Sequence, residues 1–173
     1  MSGKSTFLRT IGANLLLARL GAPVCADSMR CSLPRLMSSI KINDSLAEGV
    51  SYFYAEVQRT KQILDQVAQG GPVLYLLDEI LKGTNSRERL IATKAIVAYL
   101  INHGASGLIT THDLELLALH SHYPDAITNY HFQEGVVDDE MYFDYQLREG
   151  ELTSTNALRL MKLAGVPLTF DED

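Results

Sequence analysis

Gly3-Lys4-Ser5-Thr6 places a permissive backbone residue, an ammonium and two hydroxyls at the head of a segment with helical apolar spacing. Phosphate binding is the chemistry such a run can do. In the pattern G-x-x-x-x-G-K-[ST], loop and helix N–H groups point at phosphate oxygens. The lysine neutralises the terminal phosphates, and the hydroxyl after it binds Mg2+. Ser2, Gly3, Lys4, Ser5 and Thr6 fit the second half of that pattern, whose first glycine would precede Met1. The reading therefore carries the expectation that the first strand and the first half of the loop are lacking. Taken alone, Gly-Lys-Ser fits a chance turn before a helix equally well.

A second group is Leu74-Tyr75-Leu76-Leu77-Asp78-Glu79, an apolar run that delivers two carboxylates at its end. This is the Walker B arrangement, in which the first acid holds Mg2+ and the second orients or deprotonates an attacking water. Two acids after a buried strand also fit a solvated strand end or a helix N-terminal charge. The third group is Leu108-Ile109-Thr110-Thr111-His112-Asp113, where a histidine follows another apolar run. An imidazole there can contact a terminal phosphate, although a histidine at a strand end is commonly structural. Order changes the weighing. Ligands of open α/β sheets bind beyond the carboxyl ends of the strands, where all three groups would converge.

The elements that must position them follow from periodicity and breakers. Residues 5–20 carry Phe7, Leu8, Ile11, Leu15 and Leu16 at helical spacing, with Gly21 as a stop. Residues 51–68 predict a long helix ending at Gly70-Gly71-Pro72, and residues 73–77 a buried parallel strand. A helix over 87–102, a strand over 107–111 and a short helix over 114–120 continue the alternation. Residues 23–27 and 36–42 read as short strands, and Asn43-Asp44-Ser45 as a turn or cap. Residues 126–132 and 141–148 read as antiparallel strands around an acidic turn at 134–140, and 156–164 as a last short helix. The fold class is α/β, a mostly parallel sheet flanked by helices with some antiparallel strands, over one domain spanning 1–173.

Composition sets the outer limits. The chain has 173 residues, 46% hydrophobic and 21% charged, enough for a globular core. No apolar run is long enough to span a bilayer, and residues 1–4 lack a signal-peptide layout, so a cytoplasmic protein without membrane contact is expected. The net charge of -6 and the absence of a Lys/Arg block speak against a DNA-gripping face in this chain. Cys25 and Cys31 lack partners at metal-ligand spacing and are expected as buried free thiols. His103, His120, His122 and His131 form no credible cluster in the sequence.

These motifs, in this order, resemble the ATPase domain of the MutS family within the ABC-type P-loop NTPases. That family's loop reads G-P-N-x-S-G-K-S-T, and Met1-Ser2-Gly3-Lys4-Ser5-Thr6 continues it. Asp44-Ser45-Leu46-Ala47-Glu48-Gly49-Val50-Ser51-Tyr52-Phe53, Leu77-Asp78-Glu79-Ile80-Leu81-Lys82-Gly83-Thr84-Asn85, Thr111-His112 with Leu114-Glu115-Leu116, and Leu163-Ala164-Gly165-Val166-Pro167 resemble further family segments. The resemblance implies ATP and Mg2+ as ligands, with Lys4 and Ser5 on phosphates and metal and Asp78 on Mg2+. It implies that Glu79 activates water and that His112 senses the γ-phosphate. It also implies a homodimer with composite sites, in which Ser51 reaches the other subunit's nucleotide, although Ser51 fits a plain helix cap as well. Thr84 and Asn85 would lie near that interface, and DNA would be held by domains absent from this chain.

Two places depart from the pattern of mismatch-repair members. Asn85-Ser86-Arg87-Glu88-Arg89 stands where small hydroxyl residues are usual, and Asp113 stands where an aromatic follows the histidine. These departures resemble a divergent MutS-like branch. They leave two alternatives open, an ABC-type head with a non-repair role and a non-catalytic dimerisation module. With half its phosphate cradle lacking, the isolated chain is expected to bind and hydrolyse ATP weakly or not at all.

Overall fold

The computed structural model describes residues 3–40, 52–137, 140–151, 161 and 166. They fall into two compact units, one covering Lys4–Ala126 and one containing the residues from Ile127 onward. In the first unit, α1 (Lys4–Arg19), β1 (Arg35–Ser39), α2 (Tyr52–Ala68), β2 (Val73–Asp78), α3 (Ser86–Asn102) and β3 (Ser106–Thr110) alternate. A 3-10 turn (Leu114–Leu116) and α4 (Leu119–His122) follow. The strands form a parallel sheet in the order β1-β2-β3, with Ser39 beside Leu77 and Asp78 beside Thr110 at the carboxyl end.

Central placement of β2 explains its composition. Val73, Tyr75, Leu76 and Leu77 are all buried, as a strand covered on both faces requires. The period of two divides them. Val73, Tyr75 and Leu77 join Ile63 and Val67 of α2 and Leu100 of α3 in one core, whereas Leu76 faces α1. At Gly12 of α1 a methyl group would come within 3.0 Å of Leu76 Cδ1, so the missing side chain lets the helix approach the sheet. Gly107 plays the corresponding part between strands. The Tyr75 ring covers it, and a Cβ there would lie 2.2 Å from that ring and 2.3 Å from the Tyr75 carbonyl oxygen.

In the second unit, β4 (Tyr130–Val137) and β5 (Glu140–Glu149) form an antiparallel hairpin with a register irregularity between Phe132 and Glu134. Tyr130, Tyr142 and Tyr145 are exposed on it. The Arg148 guanidinium, 2.6 Å from Asp144, holds that carboxyl below the usual aspartate range. Among the described residues, no helix is long and apolar enough to cross a membrane.

Four sequence expectations are corrected. Residues 23–27 are not a strand: Pro23 has no N–H to give to a ladder, and the Cys25 amide donates to the Asn14 side chain at 2.6 Å instead. Cys25 and Cys31 are free, as expected, but exposed, because this bent segment lies on the surface. The first hairpin strand begins at Tyr130, since residues 124–126 form a turn. The short helix over 114–120 is divided into the 3-10 turn and α4. The expected turn at 43–45 and the expected helix over 156–164 (apart from Met161) lie outside the described residues, as do residues 138–139 of the expected acidic turn.

Candidate functional site

The carboxyl ends of β2 and β3 and the head of α1 meet at one point. Ser5 Oγ donates to Asp78 Oδ1 at 2.9 Å, and Thr110 Oγ1 donates to the same oxygen at 2.6 Å. Ser5 comes from the first turn of α1, Asp78 ends β2 and Thr110 ends β3. One carboxylate therefore ties the helix start to both strands. Gly3, just before the helix, has φ +95°, a conformation that favours glycine. Lys4 opens the helix, and Thr6, exposed one position beyond Ser5, accepts at its carbonyl from the Thr10 hydroxyl. Ser2 and Ser51 lie outside the described residues.

Immediately after β2 the chain turns sharply. Glu79 has φ 51° and Leu81 φ 61°, both in the left-handed region that side-chain-bearing residues rarely adopt. Such strain persists only where surrounding contacts hold it. Two contacts do so. The Glu79 amide donates to the Thr110 carbonyl at 3.1 Å, and the Leu81 amide donates to the buried Glu56 carboxylate at 2.6 Å. Burial pushes the Glu56 carboxyl up, offset in part by the backbone amides of Leu81, Lys82 and Gly83 and by the Lys82 charge.

Held in that turn, the Glu79 carboxylate reaches two partners. Its Oε1 lies 2.8 Å from His112 Nε2 and its Oε2 lies 2.6 Å from Lys82 Nζ. Glu79 is mostly covered, whereas the His112 side chain is 68% exposed, so the ring presents its outer edge to solvent. Behind this pair lies a cavity of about 370 Å3, to which Glu79, Lys82, Arg89, Thr93, Thr110 and His112 contribute. Thr93 Oγ1 is buried there with no hydrogen-bond partner among the described residues.

The structure thus brings together the hydroxyl and acid predicted to hold a cation, Ser5 and Asp78, and the acid and imidazole predicted to act on water and phosphate, Glu79 and His112. Five residues escaped the sequence reading as site residues: Thr110, Lys82, Glu56 and the Arg89–Asp113 pair considered below. Glu56 did leave a signal. It shares a helical stripe with Thr60, Ile63 and Val67, all buried, and a carboxylate on such a stripe needs a partner.

The chain is similar to known proteins over nearly its whole length. A family model described as MutS domain V matches residues 1–171. The DNA mismatch repair protein MutS of Chloroflexus aurantiacus is 33% identical over 171 residues, covering 96% of this chain and 17% of that protein. Its counterpart from Natronomonas pharaonis is 34% identical over 171 residues, covering 96% and 19%. The DNA mismatch repair protein MutS 2 of Haloarcula marismortui is 33% identical over 169 residues, covering 96% and 18%. The chain spans less than a fifth of the length of each of these relatives.

Proposed function

Because the chain belongs to the MutS domain V family, we propose that it is the ATP-binding and ATP-hydrolysing head of a DNA mismatch repair protein, built as a P-loop NTPase of the ABC type. The observation that carries this reading is the convergence of Ser5 and Thr110 on Asp78, next to the Glu79–His112 pair. A hydroxyl and a carboxylate are hard oxygen donors, the set that Mg2+ takes alongside substrate phosphates, so these residues fit the ion. When bound, Mg2+ would supply charge neutralisation on the phosphate oxygens. Lys4 adds a second positive charge at the amino end of α1, whose N–H groups favour anions.

Glu79 is the group that orients the attacking water and accepts its proton. Its two oxygens are engaged by His112 and Lys82, one contact each, and each oxygen keeps a second lone pair that can accept from water. His112, mostly exposed and resting on Glu79, is placed to exchange that contact for a terminal phosphate oxygen. Nucleotide binding and readiness for hydrolysis would then be linked through one imidazole. In the dimer, Ser51 of each subunit would complete the other's site. The acidic net charge leaves DNA contact to other parts of the whole protein.

The test is nucleotide binding and turnover by the full-length protein. Lys4→Ala is expected to weaken Mg-ATP binding strongly. Glu79→Gln is expected to leave binding in place while slowing hydrolysis about a hundredfold or more. Hydrolysis at the parent rate by the Glu79→Gln variant would remove Glu79 from its assigned part.

A further inference from the structure

The two places where the sequence departs from the family pattern meet in space. Arg89, in the first turn of α3, forks onto Asp113: Nε donates to Oδ2 at 2.9 Å and Nη2 to Oδ1 at 2.8 Å. Asp113 follows His112 directly, and its amide donates to Thr111 Oγ1 at 2.9 Å. The residues on either side of the histidine are thereby pinned, one by a backbone–hydroxyl contact and one by a guanidinium.

The other end of the pair is anchored too. α3 begins just beyond the strained turn of Glu79. Asn85 caps it by accepting from the Glu88 amide at 2.9 Å, and the Thr84 hydroxyl donates to the Glu88 carboxylate at 2.8 Å. A closed circuit results. It runs from Glu79 through the turn to α3, across Arg89 to Asp113, back to His112, and through the imidazole to Glu79 again.

We infer that Arg89 and Asp113 are positioning residues that fix the His112 imidazole over Glu79, so that the histidine has one defined resting place to leave and return to. This inference rests on the proposed parts of Glu79 and His112. The pair's side chains are 25% and 24% exposed, and an ion pair so open to water adds little to stability. Its value is geometric. Two parallel N–H···O contacts fix both distance and plane, which a lysine point charge does not do. Elsewhere the His112 side chain is mostly in water, so its contact with Glu79 depends on where the 111–113 backbone is held.

The test uses the full-length protein with labelled histidine and compares Arg89→Ala, Arg89→Lys and Asp113→Asn with the parent. In the parent, Nε2 lies 2.8 Å from the Glu79 carboxylate, so the Nε2 15N resonance of His112 is expected to report that contact. Both Arg89→Ala and Asp113→Asn are expected to shift that resonance as the contact loosens, with unchanged amide signals in β1 and β2. The double variant should match either single one, and Arg89→Lys should fall between. Hydrolysis should slow about 10- to 100-fold through kcat with little change in KM. His112 resonances unchanged in a folded Arg89→Ala variant would overturn the inference. If the resonances move but the parent protein binds no Mg-ATP, the brace stands and the ATPase reading falls.

Discussion

The loops after β2 and β3 leave the carboxyl end of the sheet, and each is held by a carboxylate, but in opposite surroundings. The loop after β2 is held from inside. Glu56 is 3% exposed and accepts the Leu81 amide. The loop after β3 is held from outside, by Asp113 at about a quarter exposure in the fork of Arg89. A buried carboxylate bonded to amides gives a rigid turn and carries a desolvation cost. A hydrated ion pair fixes direction at small net gain in stability. The residue on the rigid loop, Glu79, is the one that must not move. The residue on the outer loop, His112, whose side chain is mostly in water, is the one proposed to shift between partners.

The sharpest way to break this contrast is to truncate the inner brace. Glu56→Ala leaves the Leu81 amide without its acceptor and is expected to cost about 3 kcal/mol, measured by denaturant unfolding. Arg89→Ala is expected to cost less than about 1 kcal/mol in the same measurement. Equal costs would mean that the two loops are held alike.

A smaller effect is the response to pH, where the two carboxylates pull in opposite directions. Burial raises the Glu56 carboxyl above its ordinary value of 4.5, so its contribution is present below that pH and is lost as pH rises through the folded value. The Arg89 hydrogen bonds lower the Asp113 carboxyl below its ordinary 3.8, so its contribution is present above that pH and is lost as pH falls through the folded value. Stability profiles of Glu56→Gln and Asp113→Asn should therefore tilt in opposite senses relative to the parent. A common tilt would contradict the assigned surroundings.

Much of the frame was legible beforehand because its signals are local. The helices predicted at 5–20, 51–68 and 87–102 are found at Lys4–Arg19, Tyr52–Ala68 and Ser86–Asn102, the first two ending just before the glycines that marked their stops. The buried strand was readable from its unbroken apolar run. Residues 23–27 misled because apolar content alone cannot show whether a sheet edge is available to pair with. Cys25 and Cys31 misled because their usual burial is a statistical habit, overridden by a bent surface segment. At the site, Ser5 with Asp78 and Glu79 with His112 were readable as motifs. Thr110 and the Arg89–Asp113 fork were not, since each acts through a partner brought near only by the β2–α3–β3 crossover, and Lys82 was not, since its contact with Glu79 depends on the left-handed turn between them.

Gly107 has a reach beyond its own position. The Tyr75 ring fills the space its side chain would take, so the gap between the middle strand and its neighbour is gauged by a residue with nothing to offer chemically. Three positions further along the same strand stands Thr110, whose hydroxyl meets Asp78 at 2.6 Å. Any bulk introduced at that spot would act as a wedge, spreading the strands and carrying the threonine, and the imidazole two residues beyond it, away from the acids. A change with no polar atom could in this way silence the site at a distance.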